Sequence, residues 1–263
     1  IILKKEIENG IPKIVKFNKS CDKLAISINS FGKNGKNKIL VLSNISKESL
    51  SSNTFITNEI MIETPVTAME WNNEDLLVGY QNGLINLINS SNNKILTEKQ
   101  MHTDAVKMFD KSTKFEQLWL TASSDCTSKE FNINTFEIIN TYNHDYPINV
   151  AKYNYNNRKS YLGGGLDAME VAKTNNNDLT FKVFKRGGKM TNIINGHFGP
   201  IRDLNFSKVN NNFITASQDG TIIVHLVDNV SEKKNESEPT ELTKIKEVVD
   251  STMTTKEKLI DHI

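Results

Sequence analysis

Gly196-His-Phe-Gly-Pro-Ile-Arg-Asp-Leu-Asn-Phe206, followed by Phe213-Ile-Thr-Ala-Ser-Gln-Asp-Gly-Thr-Ile-Ile-Val-His225, is the stretch on which the fold turns. Pro200 opens an extended run, Ile201–Phe206, that closes on an aromatic. Proline suits that entry because its fixed φ favours extended chain and its missing N–H costs no ladder bond there. A second apolar run follows, then Gln218-Asp219-Gly220, then a third run from Thr221. Asp-Gly between two such runs is a hairpin signal.

The same pattern recurs up the chain. Pro65 precedes Trp71 by six residues, Pro147 precedes Tyr153 by six, and Pro12 precedes Phe17 by five. Thr103 stands where a proline would, six before Phe109. The aromatics recur at intervals of 54, 38, 44 and 53 residues. Periods near forty with several strands per unit indicate an all-β radial array, a β-propeller. Trp71, Phe109, Tyr153 and Phe206 are expected at equivalent stations around the hub.

Each unit parses into four strands. The unit from Pro147 is expected to use Ile148–Tyr153, Tyr161–Gly164 and Ala168–Ala172. Its insertion, Lys173–Asn195, carries an alternating Phe181–Phe184, read as an extended outer strand or hairpin. Ile1–Ile7 reads as one strand, an abrupt start in mid-pattern that suggests an incomplete chain. Residues 1–228 are expected to form the propeller. Residues 229–263 read as a charged linker with Pro239, then Leu242, Ile245, Val248, Val249 and Met253 at helical steps.

Composition narrows the function classes. Net charge is +1, too little to gather nucleic acid. Arg158, Arg186 and Arg202 are the only arginines, so bidentate phosphate clamps are scarce. No run of eighteen apolar residues exists to span a membrane. Cys21 and Cys126 fall in different units and read as free thiols of a reducing compartment.

The polar residues form a pattern too. In the last unit His197 is followed by Thr215, Asp219 four residues later and His225 six after that. His102, Thr121, Asp125 and Phe131 repeat the four-then-six spacing. An imidazole, a hydroxyl and an acid invite a hydrolase reading. Two copies of a set buried between strands exclude it, because no substrate could reach them. The five histidines show no metal spacing. Gly163-Gly164-Gly165 lacks the lysine and helix of a phosphate loop; it suits close backbone approach near the axis. No catalytic residue, metal or cofactor is implied.

These spacings resemble the tetrad of the WD-repeat family, in which an aspartate, a histidine, a hydroxyl and an indole are joined. Here His225 and Phe131 stand at the indole position, and Asn82 and Val78 replace the acid and hydroxyl in the second full unit. The network is therefore expected to be partial everywhere. Leu162-Gly-Gly-Gly-Leu-Asp-Ala-Met-Glu-Val171, with Gly196-His-Phe-Gly-Pro-Ile201 and His225, resembles the last two blades of the i subunit of eukaryotic translation initiation factor 3. That resemblance implies a seven-bladed propeller, of which about five blades and one outer strand are present. It also implies a non-catalytic scaffold in the cytoplasm that docks the b and g subunits on the small ribosomal subunit. The runner-up is a WD-repeat adaptor of another assembly. No motif marks the docking face; Asp110, Glu116 and Asn132, expected exposed on the flank of the His102 unit, are the candidates.

Overall fold

A computed structural model describes residues 10–30, 36–46, 48–49, 56–154, 156–166, 180–209 and 212–226. The expected strands Ile1–Ile7 and Ala168–Ala172, and the linker and helix of residues 229–263, lie outside the described residues.

Nineteen antiparallel strands form five separate sheets among the described residues, each built from consecutive strands. The first sheet holds β1 (Gly10–Phe17), β2 (Lys23–Ser30), β3 (Asn37–Ser43) and β4 (Ile56–Ile62). The second holds β5 (Val66–Asn72), β6 (Asp75–Tyr80), β7 (Leu84–Asn89) and β8 (Ile95–Gln100). The third holds β9 (Val106–Lys111), β10 (Leu118–Ser123), β11 (Thr127–Asn132) and β12 (Ile138–Asn143). The fourth holds β13 (Ile148–Tyr153), β14 (Lys159–Gly164), β15 (Phe181–Lys185) and β16 (Met190–Ile194). The fifth holds β17 (Ile201–Phe206), β18 (Phe213–Ser217) and β19 (Ile222–His225). The first strands stand side by side in chain order, β1 by β5, β5 by β9, β9 by β13 and β13 by β17. This is the propeller hub. Among the described residues no strand pairing joins the last sheet to the first, so the ring is not closed.

A four-stranded sheet has two faces and cannot bury both alone. The core is accordingly spread in layers between neighbours. One layer packs Val41 and Ile60 of the first sheet against Val66, Met69 and Trp71 of the second. Another joins Leu77 and Ile85 to Phe109, Trp119 and Phe131. A third sets Leu120 and Tyr142 against Tyr153, Leu162 and Phe184. The last sets Tyr161 and Phe181 against Leu204 and Phe213. Among the described residues the two end faces have no such neighbour, and Phe17 at 53% and Ile222 at 67% are exposed there.

The register repeats closely. In all five sheets the first strand carries a bulge near its start, between Pro12 and Ile14, opposite Ala122 and Ser123, and at Val66/Ala68, Ile148/Val150 and Ile201/Asp203. One backbone bond repeats just ahead of it, from Gln81, Ser124, Gly165 and Gln218 to the carbonyls of Pro65, Ala105, Pro147 and Pro200. Ala105, not Thr103, therefore holds the proline position. It follows that Phe109 is not the equivalent of Trp71, Tyr153 and Phe206. Lys111 is: it pairs with Trp119 as Trp71 pairs with Leu76, Tyr153 with Ser160 and Phe206 with Phe213. The bulky ring has crossed to the second strand, and the Lys111 ammonium lies 5.6 Å from the Trp119 ring centre.

The fourth sheet brings a second correction. The strand paired with β14 is β15, with Tyr161 opposite Val183, and Met190–Ile194 is the outer strand. Phe181–Lys185 is thus the third strand and not an outer one. Its alternation could not reveal its place in the order. Gly163 and Gly164 do allow close approach: a Cβ on Gly163 would lie 2.4 Å from the Phe181 ring, and one on Gly164 would lie 1.9 Å from the Pro147 carbonyl oxygen.

Candidate functional site

Two networks gather the polar residues singled out by spacing. Each histidine lies just before a first strand, each threonine on the second strand, and each aspartate in the turn to the third. In the third sheet His102 Nδ1 lies 2.9 Å from Asp125 and Nε2 lies 2.8 Å from the Thr121 hydroxyl. A ring nitrogen facing a carboxylate carries the proton, so Nδ1–H donates to Asp125 and Nε2 accepts from Thr121. Thr121 in turn accepts the Lys129 amide at 2.9 Å. That amide takes over from the indole that Phe131 cannot supply.

The fifth sheet repeats the arrangement and extends it. His197 lies 3.3 Å from Asp219 and 2.7 Å from Thr215. Thr215 Oγ1 is also 3.0 Å from His225 Nε2. The chain runs from His225 Nε2–H to Thr215, from Thr215 to His197, and from His197 to Asp219. Four members are joined here, which corrects the expectation of a partial network everywhere: a neutral imidazole donates as an indole does. Phe213 stacks on the His225 ring at 4.3 Å between centroids and 8° between planes. In the second sheet Asn82 merely caps its own turn, through the Leu84 amide at 3.2 Å.

Electrostatics follow from this geometry. Burial pushes the Asp125 carboxyl up, but hydrogen bonds from His102 and Thr127 outweigh it and hold the group below the usual range. Asp219 behaves likewise: burial raises it, and the Thr221 hydroxyl and amide with the Phe198 amide lower it further. Burial, with His197 nearby, pushes the His225 imidazole down to about 4. Its Nδ1 is buried without a hydrogen-bond partner among the described residues, which suits the neutral tautomer whose proton sits on Nε2.

Two contributors escaped the sequence reading. Thr127 and Thr221 bridge histidine and acid: Thr127 Oγ1 lies 3.1 Å from His102 and 2.7 Å from Asp125, and Thr221 Oγ1 lies 3.0 Å from His197 and 2.6 Å from Asp219. Their signal was a hydroxyl two residues after each aspartate. His144 stands three residues before Pro147, as His197 stands before Pro200. It is buried, but Leu162 replaces the hydroxyl, and the ring meets the Thr180 carbonyl at 3.3 Å.

A further buried acid joins the third and fourth sheets. Glu130 is fully buried and accepts hydroxyls from Tyr153 at 3.1 Å and Tyr142 at 3.3 Å. The Asn140 amide donates to it at 2.5 Å, and Arg186 approaches to 3.7 Å while covering the Phe115 ring.

The structure separates the three docking candidates. Glu116 is exposed. Asp110 is not: it accepts the Tyr153 amide at 2.9 Å and pairs with Lys152 at 3.2 Å. Burial pushes its carboxyl up, against the pull of Lys152. Asn132 is half-buried and holds its own turn by accepting the Asn134 amide. The expectation that all three are exposed is thus corrected for Asp110 and Asn132. One lies where neighbouring first strands meet, and the other is folded into a turn.

None of these arrangements presents a nucleophile or acid–base pair to a substrate. Among the described residues no group of three His, Cys, Asp or Glu side chains could hold a metal ion, and no helix is long and apolar enough to cross a membrane.

Comparison with known proteins adds a relationship. No protein-family model matches the chain. It is 28% identical over 171 residues to eukaryotic translation initiation factor 3 subunit I of Danio rerio, covering 63% of this chain and 52% of that protein. It is 30% identical over 179 residues to the same subunit of Drosophila willistoni, covering 64% and 54%. For the subunit of Kluyveromyces lactis the identity is 27% over 169 residues, covering 62% and 48%. The chain spans about half the length of the curated relatives it matches. The expected resemblance is borne out: this chain is similar to initiation factor 3 subunit I proteins across animals and yeast.

Proposed function

We propose that this chain serves as a non-catalytic scaffold of eukaryotic translation initiation factor 3. In this reading it docks the b and g subunits in the cytoplasm and holds them on the small ribosomal subunit. The observation that carries this is its similarity to subunit I proteins from vertebrate, insect and yeast sources. The fold is compatible, since five sheets bury their chemistry between one another and leave outer strands free. The five sheets, from Gly10 to His225, form the docking platform.

The imidazole networks act as staples. His102, Thr121 and Asp125, and His197, Thr215, Asp219 and His225, tie the entry to each first strand to the turn beyond its neighbour. Docking uses the flank of the third sheet, with Glu116 presented and Asn132 beside it. Asp110 supports that flank from within through Lys152 and Tyr153.

The test is capture of the tagged chain from an extract that contains the intact factor. Recovery of the b and g subunits and co-sedimentation with small ribosomal subunits are expected. Loss of both, from protein with a native melting transition, overturns the reading. Glu116→Lys probes the docking face without touching the Asp110 pair. Unaltered capture of the b subunit by that variant removes the face from consideration.

A further inference from the structure

We propose that the pit at the hub, lined by the first strands of the first four sheets, binds a small anion with two or more acceptor oxygens, a carboxylate or a phosphate. The pit has a volume of about 440 Å³, within the range of small-molecule sites. Trp71 and Phe109 give it an apolar wall, and four lysines, Lys16, Lys107, Lys111 and Lys152, meet two acids, Glu70 and Asp110.

Both acids are already engaged. Glu70 lies 2.6 Å from Lys16, and Asp110 lies 3.2 Å from Lys152. Lys107 has no hydrogen-bond or ion-pair partner among the described residues. Lys111 has only a long contact, 3.5 Å to Asn72 Oδ1, and the face of Trp119. Two ammonium groups are thus left without a counter-charge in one concavity. Trp119 also lines the pit, with its ring 5.6 Å from the Lys111 ammonium. The site is rich in donors and short of acceptors, which is the complement of an oxyanion.

The fold supplies these lysines for a physical reason. Lys107 sits at the bulge of its strand, where the register shift takes it out of the pairing ladder; bulges re-aim side chains in this way. Lys111 sits at the station that Trp71, Tyr153 and Phe206 fill with rings in other sheets. Among the described residues no group of opposite charge meets it.

Trp71 and Trp119 are the chain's two tryptophans and both line the pit, so intrinsic fluorescence reports on it. The protein is titrated separately with citrate and with inorganic phosphate, at constant ionic strength against a chloride control. A saturable change is expected, and the anion that gives it at the lower concentration distinguishes carboxylate from phosphate. Lys107→Met with Lys111→Met should weaken binding at least about tenfold, the loss expected for one charged hydrogen bond or more. Lys107→Met alone is the second variant, because an exposed, unpartnered side chain can be removed without disturbing the fold. No saturable response to either anion beyond chloride overturns the proposal. So does unchanged affinity in both variants.

Discussion

Replacing Asp125 with alanine should lower the melting temperature by about 6–12 °C. The carboxylate accepts from the His102 ring at 2.9 Å, the Thr103 amide at 3.1 Å, the Thr127 amide at 2.9 Å and the Thr127 hydroxyl at 2.7 Å. Thr103 is exposed and Thr127 half-buried, so their donors can turn to water. The His102 side chain is fully buried and cannot. Leaving one buried ring N–H short of its acceptor costs roughly 1–3 kcal/mol, and a charged hydrogen bond contributes roughly 1.5–3 kcal/mol. Thr127 remains 3.1 Å from the same nitrogen and recovers part of the loss. A net cost of about 3 kcal/mol follows, and in a chain of this size each kcal/mol moves the melting point by about 2–4 °C. The acid is held below its usual pKa, so its contribution is full at pH 7 and fades only as pH falls below the unfolded carboxylate range near 3.9. Calorimetry at pH 7 measures the shift, with Asp125→Asn as a control of intermediate effect because it keeps one acceptor. Asp219→Ala should move the global transition less, because among the described residues the fifth sheet has a neighbour on one side only and can open locally. Melting of Asp125→Ala within about 2 °C of the parent would refute the staple.

Three other outcomes are expected. Cys126 occupies the left-handed turn position with φ 66°, where Gly83 and Gly220 stand in other sheets at 84° and 83°; Cys126→Gly should therefore stabilise by about 1 kcal/mol, and a lower melting point would contradict this. The His225 imidazole titrates at about 4 in the fold against 6.5 when unfolded, so unfolding takes up a proton between these values. Stability should then decline as pH drops from 6.5 to 4, by up to about 3 kcal/mol. His225→Gln keeps an N–H for Thr215 without titrating, and a denaturation series should show a flatter slope; an identical slope would count against the assignment. Glu130→Ala removes a fully buried acceptor from two tyrosine hydroxyls and Arg186, at a cost of about 3–5 kcal/mol. Chemical denaturation with an unshifted midpoint would show that this node holds nothing.

Much of the strand order was legible because hairpins are local. Proline entries, Asp-Gly turns and alternating runs lie within a dozen residues of one another, and backbone sterics act at that range. The four-then-six spacing likewise located His102, Thr121 and Asp125, and His197, Thr215, Asp219 and His225, since pairing within a hairpin converts sequence distance into position across a sheet. What spacing alone could not supply was the anchor of the third unit. There alanine replaces the proline and lysine replaces the ring, so counting from Phe109 slipped by two residues.

Other features depend on how sheets stack. Whether Asp110 meets solvent or Lys152, and whether Phe181–Lys185 lies third or fourth, are settled by neighbours far away in the chain. The amino-acid sequence determined that this protein is an array of antiparallel units with two imidazole sets and a similarity to subunit I proteins. The tertiary structure decided which side chains share an interface. Hydrogen-bond registers and bulges set those positions to within a single residue, and apolar burial between sheets accepts a ring from either strand of the pair.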